Sequence, residues 1–270
     1  MQIHVRSDAR TGVAGVHAII DVSGRMAGHG EWAGRTLPAN VAVLSVTTAG
    51  EVASDKDDRP ASALAFTGPA TRAAIYQVAH EVVVTIALLE PRWAFALMGT
   101  GGPAATDRRL SLRDLVSTRQ LGDLVSAMRG AATAQGRSEA LMQWLRQLSL
   151  DASADPRRGS GPAAGIASPW GGTGTVSLRQ RERTFLRDHG VSMSRFQSIE
   201  RFQKAVTALA RGESGPALAL DVGYVDQSHM CRYVRLFSGL TPTCLAQELR
   251  GGVFTDTYAR IPGFARQLVV

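Results

Sequence analysis

Leu218 to Pro242 reads LALDVGYVDQSHMCRYVRLFSGLTP, and the organisation of the chain follows from this stretch. Gly223 and Tyr224 mark a turn between two short helices. Asp226 stands where an N-cap belongs, its carboxylate placed to accept from the open amide hydrogens of the next turn. Met230, Val234 and Phe237 then recur at the i, i+4, i+7 spacing of one apolar helix face. Ser228, Arg232 and Arg235 recur at the same spacing on the other side, with Gln227 and Cys231 beside them. Gly239 suits a left-handed C-cap, and Thr241 with Pro242 supplies the N-cap and first position of another helix. A short helix, a glycine turn and a basic-faced second helix describe a helix-turn-helix.

The pattern LALxxGYxDQSHxxRxxRxxxGxTP resembles the second helix-turn-helix of AraC-type transcription regulators. The match is carried by Gly223, Tyr224, Asp226, Gln227, His229, Arg232, Gly239, Thr241 and Pro242. The family usually has Phe where this chain has Val234, a smaller apolar residue for the same core. The resemblance implies that Gln227, Ser228, Cys231 and Arg232 face bases of double-stranded DNA. Their chemistry suits that role: Arg pairs bidentately with guanine and Gln with adenine, whereas Ser discriminates less. Arg235 is assigned to phosphate, a contact that positions a helix without reading sequence.

Sliding the chain on itself by 49 residues pairs Gly190-Val191-Ser192 with Gly239-Leu240-Thr241. The same offset pairs Arg183 with Arg232, Phe185 with Val234 and Phe196 with Leu245, so two helix-turn-helix units are expected. Ser177–Phe185, SLRQRERTF, resembles the family's first recognition helix, which implies that Arg179, Gln180 and Arg183 face DNA. Arg181, however, falls opposite the core residue Met230. A buried unpaired guanidinium is costly, so Arg181 is expected to reach outward or the helix to be displaced. Upstream, Pro169-Trp170-Gly171 lies opposite Leu218-Ala219-Leu220. Proline costs about 3 kcal/mol and glycine about 1 kcal/mol inside a helix, so the first unit is expected to be degenerate. Base readout is therefore expected mainly from the second unit, with Arg179, Gln180 and Arg183 working through phosphates or ordered by DNA. Between the units, Phe196, Ile199, Phe202, Val206 and Leu209 form one apolar stripe, resembling the long helix that joins the two units in the family.

Charge agrees with this placement. Residues 1–156 hold 15 basic and 15 acidic residues, whereas residues 157–250 hold 13 basic against 7 acidic. The basic surplus of a polyanion-binding module thus lies mainly in the helix-turn-helix region, beside a neutral partner domain. The two cysteines, Cys231 and Cys244, show neither metal-ligand spacing nor a persuasive disulfide pattern, as suits a reducing compartment. The start, MQIHVRSDAR, lacks an apolar signal core, and the longest apolar run, Val82–Leu89, is far too short to span a membrane. A soluble cytoplasmic protein without membrane partners is expected.

From Ile3 to about Met98 the text is strand-like, with short apolar runs between turn signals. Val13–Val22, Val41–Thr47, Ala63–Phe66, Ala74–Val78 and Val82–Leu89 are candidate strands, separated by Gly, Asp and Pro clusters at 23–30, 49–60 and 67–71. Such spacing argues for a small β sandwich or barrel. The pieces RTLPANVAVLSV, LAFTGPATRA, EPRWAFALMG and LSLRDL resemble a cupin-like regulatory domain found ahead of some AraC-type DNA-binding domains. The six histidines form no HxH or HExxH pattern, no nucleophile motif accompanies Ser, His and Asp, and GTGGP at 99–103 lacks the lysine of a phosphate loop. No catalytic residue, metal site or cofactor is therefore assigned. Trp32, Tyr76, Trp93 and Phe95 are candidates for a pocket lining, and equally for plain core.

From Leu110 the period becomes helical, through Leu112, Leu115 and Val116, then Leu121, Leu124, Val125 and Met128, then Leu141, Trp144, Leu145 and Leu148. These stripes suit either self-association as a homodimer or packing on the β domain. Asp151–Gly165 is linker-like, and residues 251–270 form an apolar tail of unassigned role. The expected fold class is α+β: an N-terminal β sandwich or barrel domain (1–109), a helical connector (110–150), a linker (151–165) and an all-α double helix-turn-helix domain (166–250) with a degenerate first unit. The expected function is sequence-specific DNA-binding transcription regulation, modulated through the N-terminal domain, where a small-molecule effector is the natural partner. The competing expectation is a small-molecule-binding protein or enzyme carried by the β domain, with a decayed DNA-binding module. Some relatives couple such a domain to DNA alkyl repair, which needs an N-terminal acceptor cysteine; none precedes Cys231.

Overall fold

Glu90-Pro91 and Gly99 bracket a helix that a strand-like reading of residues 3–98 misses. The computed structural model describes residues 2–7, 12–25, 31–54, 63–154 and 177–251. In it, Pro91–Met98 forms α1: the Glu90 carboxylate accepts from the amides of Arg92 and Trp93, proline takes a first-turn position, and Gly99 closes the helix at φ 63°. The neighbouring GTGGP is partly helical too, since Gly102–Ala105 makes the one-turn helix α2. Trp93 and Phe95 are buried core residues. Trp32's side chain lies outside the described residues.

Among the described residues seven strands flank this corner: β1 (Gln2–Ser7), β2 (Val16–Arg25), β3 (Glu31–Thr36), β4 (Ala42–Ser54), β5 (Leu64–Thr67), β6 (Ala74–Leu89) and β7 (Arg109–Ser111). They form a single antiparallel sheet in the order β1-β2-β6-β4-β5-β7, with β3 also paired to β6. Two segments read as separate strands, Ala74–Val78 and Val82–Leu89, are one 16-residue strand. Its length lets β6 serve β2 through residues 81–89 and β3 through residues 74–79 on one side, with β4 on the other. The clusters at 23–30 and 49–60 were expected to end strands, yet β2 runs to Arg25 and β4 to Ser54. β4 crosses its cluster by register shifts around Ala49, where Gly50 adopts φ 76°. A Cβ on Gly50 would stand 1.7 Å from the carbonyl oxygen of Glu81, so the bulge admits only glycine.

The stripes after Leu110 belong to a 3-10 turn (Leu112–Asp114), α3 (Thr118–Gly130) and α4 (Ala134–Ala154). Leu124, Met128, Leu141, Leu145 and Leu148 pack with Leu44, Val46, Phe66 and Leu89 in one core on one face of the sheet. The connector's apolar face is thus spent inside the chain. Ala18, Ile20, Val22, Val41 and Leu88 form a smaller cluster apart from it. α4 runs to Ala154, so the first residues of the linker-like stretch are helical; the rest of that stretch, Pro169-Trp170-Gly171 and the 252–270 tail lie outside the described residues.

One buried ion pair ties α4 to the sheet. Arg137 donates from Nε to Asp21 Oδ2 at 2.8 Å and from Nη2 to Asp21 Oδ1 at 2.6 Å, while Thr85 adds a third donor to Oδ2 at 2.8 Å. Asp21 and Thr85 are wholly buried. The bidentate bond to Asp21 holds the guanidinium above its ordinary pKa, outweighing the cost of burial.

The C-terminal half is helical: α5 (Leu178–His189), α6 (Met193–Ala210), α7 (Pro216–Asp221), α8 (Gln227–Ser238) and α9 (Pro242–Gly251). Its core is built on Ile199, Phe202, Val206 and Leu209 of α6 with Met230, Val234 and Phe237 of α8, and it takes in Leu37 from the β half. The fold is therefore α+β, an antiparallel sheet domain followed by a helical C-terminal region. The halves meet along a polar seam. Gln203 Nε2 donates to Pro38 O, Asn40 Nδ2 to Phe196 O, the Ala73 amide to Phe237 O and Arg195 Nη2 to Thr71 O. Arg35 bridges to Glu248 at 3.0 Å and donates to Ser238 O.

Candidate DNA-binding interface

The 49-residue repeat is realised residue for residue. Ser177 caps α5 by accepting from the Gln180 amide, and Asp226 caps α8 by accepting from His229 N at 2.7 Å. Each helix has 12 residues and ends on a left-handed glycine, Gly190 at φ 76° and Gly239 at φ 77°. Ser192 and Thr241 then cap α6 and α9 through the amides of Arg195 and Cys244. A left-handed residue other than glycine costs roughly 1–2 kcal/mol, so Gly239→Ala should lower unfolding free energy by about that much in urea titration. An unchanged midpoint would show that the cap relaxes without strain.

The second unit is built as its spacing implies. α7 starts at Pro216 and buries Leu218 and Ala219. Gly223, at φ 89°, turns the chain, and Tyr224 is buried edge-on to His229, with ring centres 5.4 Å apart. Burial pushes the Tyr224 hydroxyl well above the ordinary phenol range, against a smaller opposing pull from Arg201. His229 Nδ1 accepts from the Val225 amide, so the family-like histidine holds the turn. Met230, Val234 and Phe237 are buried, and Phe237 packs on Phe202 at 5.0 Å. On the opposite side Gln227, Ser228, Arg232 and Arg235 are exposed and Cys231 is half-buried. All five candidates therefore share the outward side of one capped helix.

In the first unit Arg179, Gln180 and Arg183 are exposed along α5. Arg181 is exposed as well, which avoids the burial cost its register suggested. Phe185 is the one buried residue of α5, set edge-on to Phe196 at 5.4 Å. Among the described residues, its C-terminal turn packs against α1 and α2 of the β half. His189 lies in that contact, and burial lowers its pKa below the ordinary histidine value.

A cleft of about 590 Å³ runs beside α8, lined by Gln227, Cys231, Arg232 and Arg235 and across from them by Thr241 and Arg250 of α9. Arg250 is absent from the sequence-derived set. Only the folding of α9 back across α8 brings it to the same cleft as Arg232 and Arg235, and no local spacing announces that. Three guanidiniums against the single carboxylate of Glu213 make the cleft cationic.

Residues 175–248, which hold both recognition helices, match the model of a family described as a helix-turn-helix domain. This part of the chain is therefore a helix-turn-helix domain. No curated protein sequence matches the chain. Among solved structures, ToxT from Vibrio cholerae aligns at 9% identity and a TM-score of 0.41, over 86% of this chain and 99% of that one. The unsaturated-fatty-acid-bound form of ToxT from Vibrio cholerae strain SCE256 aligns at 10% identity and a TM-score of 0.39, over 93% and 96% respectively. No described helix is long and apolar enough to cross a membrane.

Proposed function

We propose that the chain is a sequence-specific, double-stranded-DNA-binding transcription regulator that performs no chemistry on its target. α8 is its principal reader: Gln227, Ser228, Cys231 and Arg232 meet base edges, and Arg235 and Arg250 meet phosphates on either side. α5 stands at the adjoining groove, with Arg179, Gln180 and Arg183 toward the backbone. The observation that carries this reading is the pair of identically capped 12-residue helices, 49 residues apart, each with its polar side exposed on the basic half of the chain. The β domain, neutral in charge, acts as the regulatory part through the seam it shares with α6, α8 and α9. The two free cysteines of the helical half, Cys231 and Cys244, suit work in the cytoplasm.

A mobility-shift titration with the full chain tests the reading, on duplexes selected from a random pool and on scrambled controls. Binding to the selected duplex should be at least ~10³-fold tighter than to scrambled DNA, and should weaken steeply with salt. Arg250→Ala should reduce the slope of log affinity against log salt by about one while leaving base preference intact. Equal affinity for selected and scrambled duplexes would remove the claim of sequence reading.

A further inference from the structure

The two recognition helices are held by different neighbours. α8 packs on α6, α7 and α9 of the helical half and meets the β half at its last two residues, through Ala73 and Arg35. α5 touches α6, but its C-terminal turn is seated on α1 and α2, which belong to the β half. The seat is a backbone-on-backbone fit. A Cβ on Gly102 would stand 2.6 Å from Arg187 O, Gly190 N and Gly190 Cα, and one on Gly190 would stand 2.5 Å from Thr106 Oγ1. Thr106 Oγ1 donates to Gly190 O at 2.8 Å and lies 3.0 Å from Gly102 O, so one hydroxyl stitches the end of α2 to the C-cap of α5. Arg92 of α1 adds an ion pair to Asp188 at 3.7 Å.

This corner is itself braced against the second contact between the halves. Gly68 N donates to Ala105 O, and Asp107 N donates to Pro69 O. The Asp107 carboxylate accepts from both the amide and the hydroxyl of Thr71. Thr71 O in turn accepts from Arg195 near the start of α6, and the Ala73 amide donates to Phe237 O near the end of α8. Residues 68–73 and 102–107 thus form one bracket that receives the C-terminal ends of both recognition helices. Both N-terminal halves, where the candidate base contacts sit, stay exposed.

We propose that Gly102 and Thr106 are positioning residues for DNA reading, and that the β domain supplies the support that sets α5 in place beside α8. This rests on the DNA-binding function proposed above. α8 has support from α6, α7 and α9 besides its bond to Ala73, so loss of the 102–107 arm impairs the half-site met by α5 and spares the half-site met by α8. Whatever shifts the 102–107 corner shifts α5 with it, which gives the N-terminal domain a mechanical route to the DNA.

The test uses the full-length chain and three duplexes: the sequence selected from a random pool, and versions of it truncated to remove one half-site or the other. Arg183→Ala and Arg232→Ala assign each half to its helix by hydroxyl-radical footprinting. Thr106→Val, close in shape but without the hydroxyl, should lose affinity about tenfold on the intact duplex, with backbone protection fading over the α5 half alone. On the duplex truncated of the α5 half, the same variant should match the wild type within about twofold. Thr106→Ser should restore binding, and Gly102→Ala should reproduce the half-site defect by a different route. Equal losses on all three duplexes, or no loss on any, would overturn the proposal. A wild-type chain that selects no sequence would refute the DNA-binding reading itself.

Discussion

Asp21→Ala is expected to lower the unfolding free energy by about 3–5 kcal/mol, because it strands a buried guanidinium. Arg137 is 8% exposed and its two strongest donors both end on Asp21. Thr85 loses its acceptor in the same step. A free energy of that size is a large share of the stability of an ordinary domain. Because the pair joins β2 to α4, the loss should appear first as release of α4 from the sheet, read as faster amide exchange along Ala134–Ala154. Replacing both partners by apolar residues of similar volume should recover most of the stability. Chemical denaturation that shows less than about 1 kcal/mol for Asp21→Ala would mean that water reaches the pair and that it is not a true buried bridge.

Arg232→Ala carries the second large effect, on binding. The side chain is exposed on the first half of α8, one turn from Ser228 and beside Gln227, with the backbone beneath it fixed by the Asp226 cap. A bidentate arginine–guanine pair contributes about 1–3 kcal/mol of discrimination, so the variant should bind the selected duplex that much more weakly and lose preference at one base pair. Affinity for scrambled DNA should fall far less. Equal losses on selected and scrambled duplexes would reassign Arg232 to phosphate.

Local features of these sites were legible in the sequence and long-range ones were not. The faces of α8 follow from side-chain spacing over three turns, and the caps follow from Asp226 and Gly239, so both could be read without a partner. The internal repeat marks the C-terminal end of α5 by pairing Gly190 with Gly239, and in the structure Ser177 also caps α5 at the position of Asp226. α1 was missed because six of its eight residues are buried, which erases the amphipathic period; the sound signals were Glu90, Pro91 and Gly99 at its ends. The candidate strands leave a gap at Ala79–Glu81, yet the backbone stays extended across it while β6 changes partner from β3 to β2, a change that only the neighbouring strands dictate. The stripes of α3 and α4 were visible, whereas their burial against the chain's own sheet depends on tertiary packing. Thr106 and Gly190 lie 84 residues apart and Arg35 and Glu248 lie 213 apart, so the seam leaves no trace in any sequence window.

The central claim, that α8 reads bases while α5 is held at the next groove, is most directly tested by footprinting the full chain on its selected duplex with and without Arg232→Ala. The account predicts two protected patches about one helical turn, roughly 34 Å, apart, with base-specific protection erased at one patch only in the variant. Protection spread evenly along any duplex, unchanged by Arg232→Ala, would contradict it.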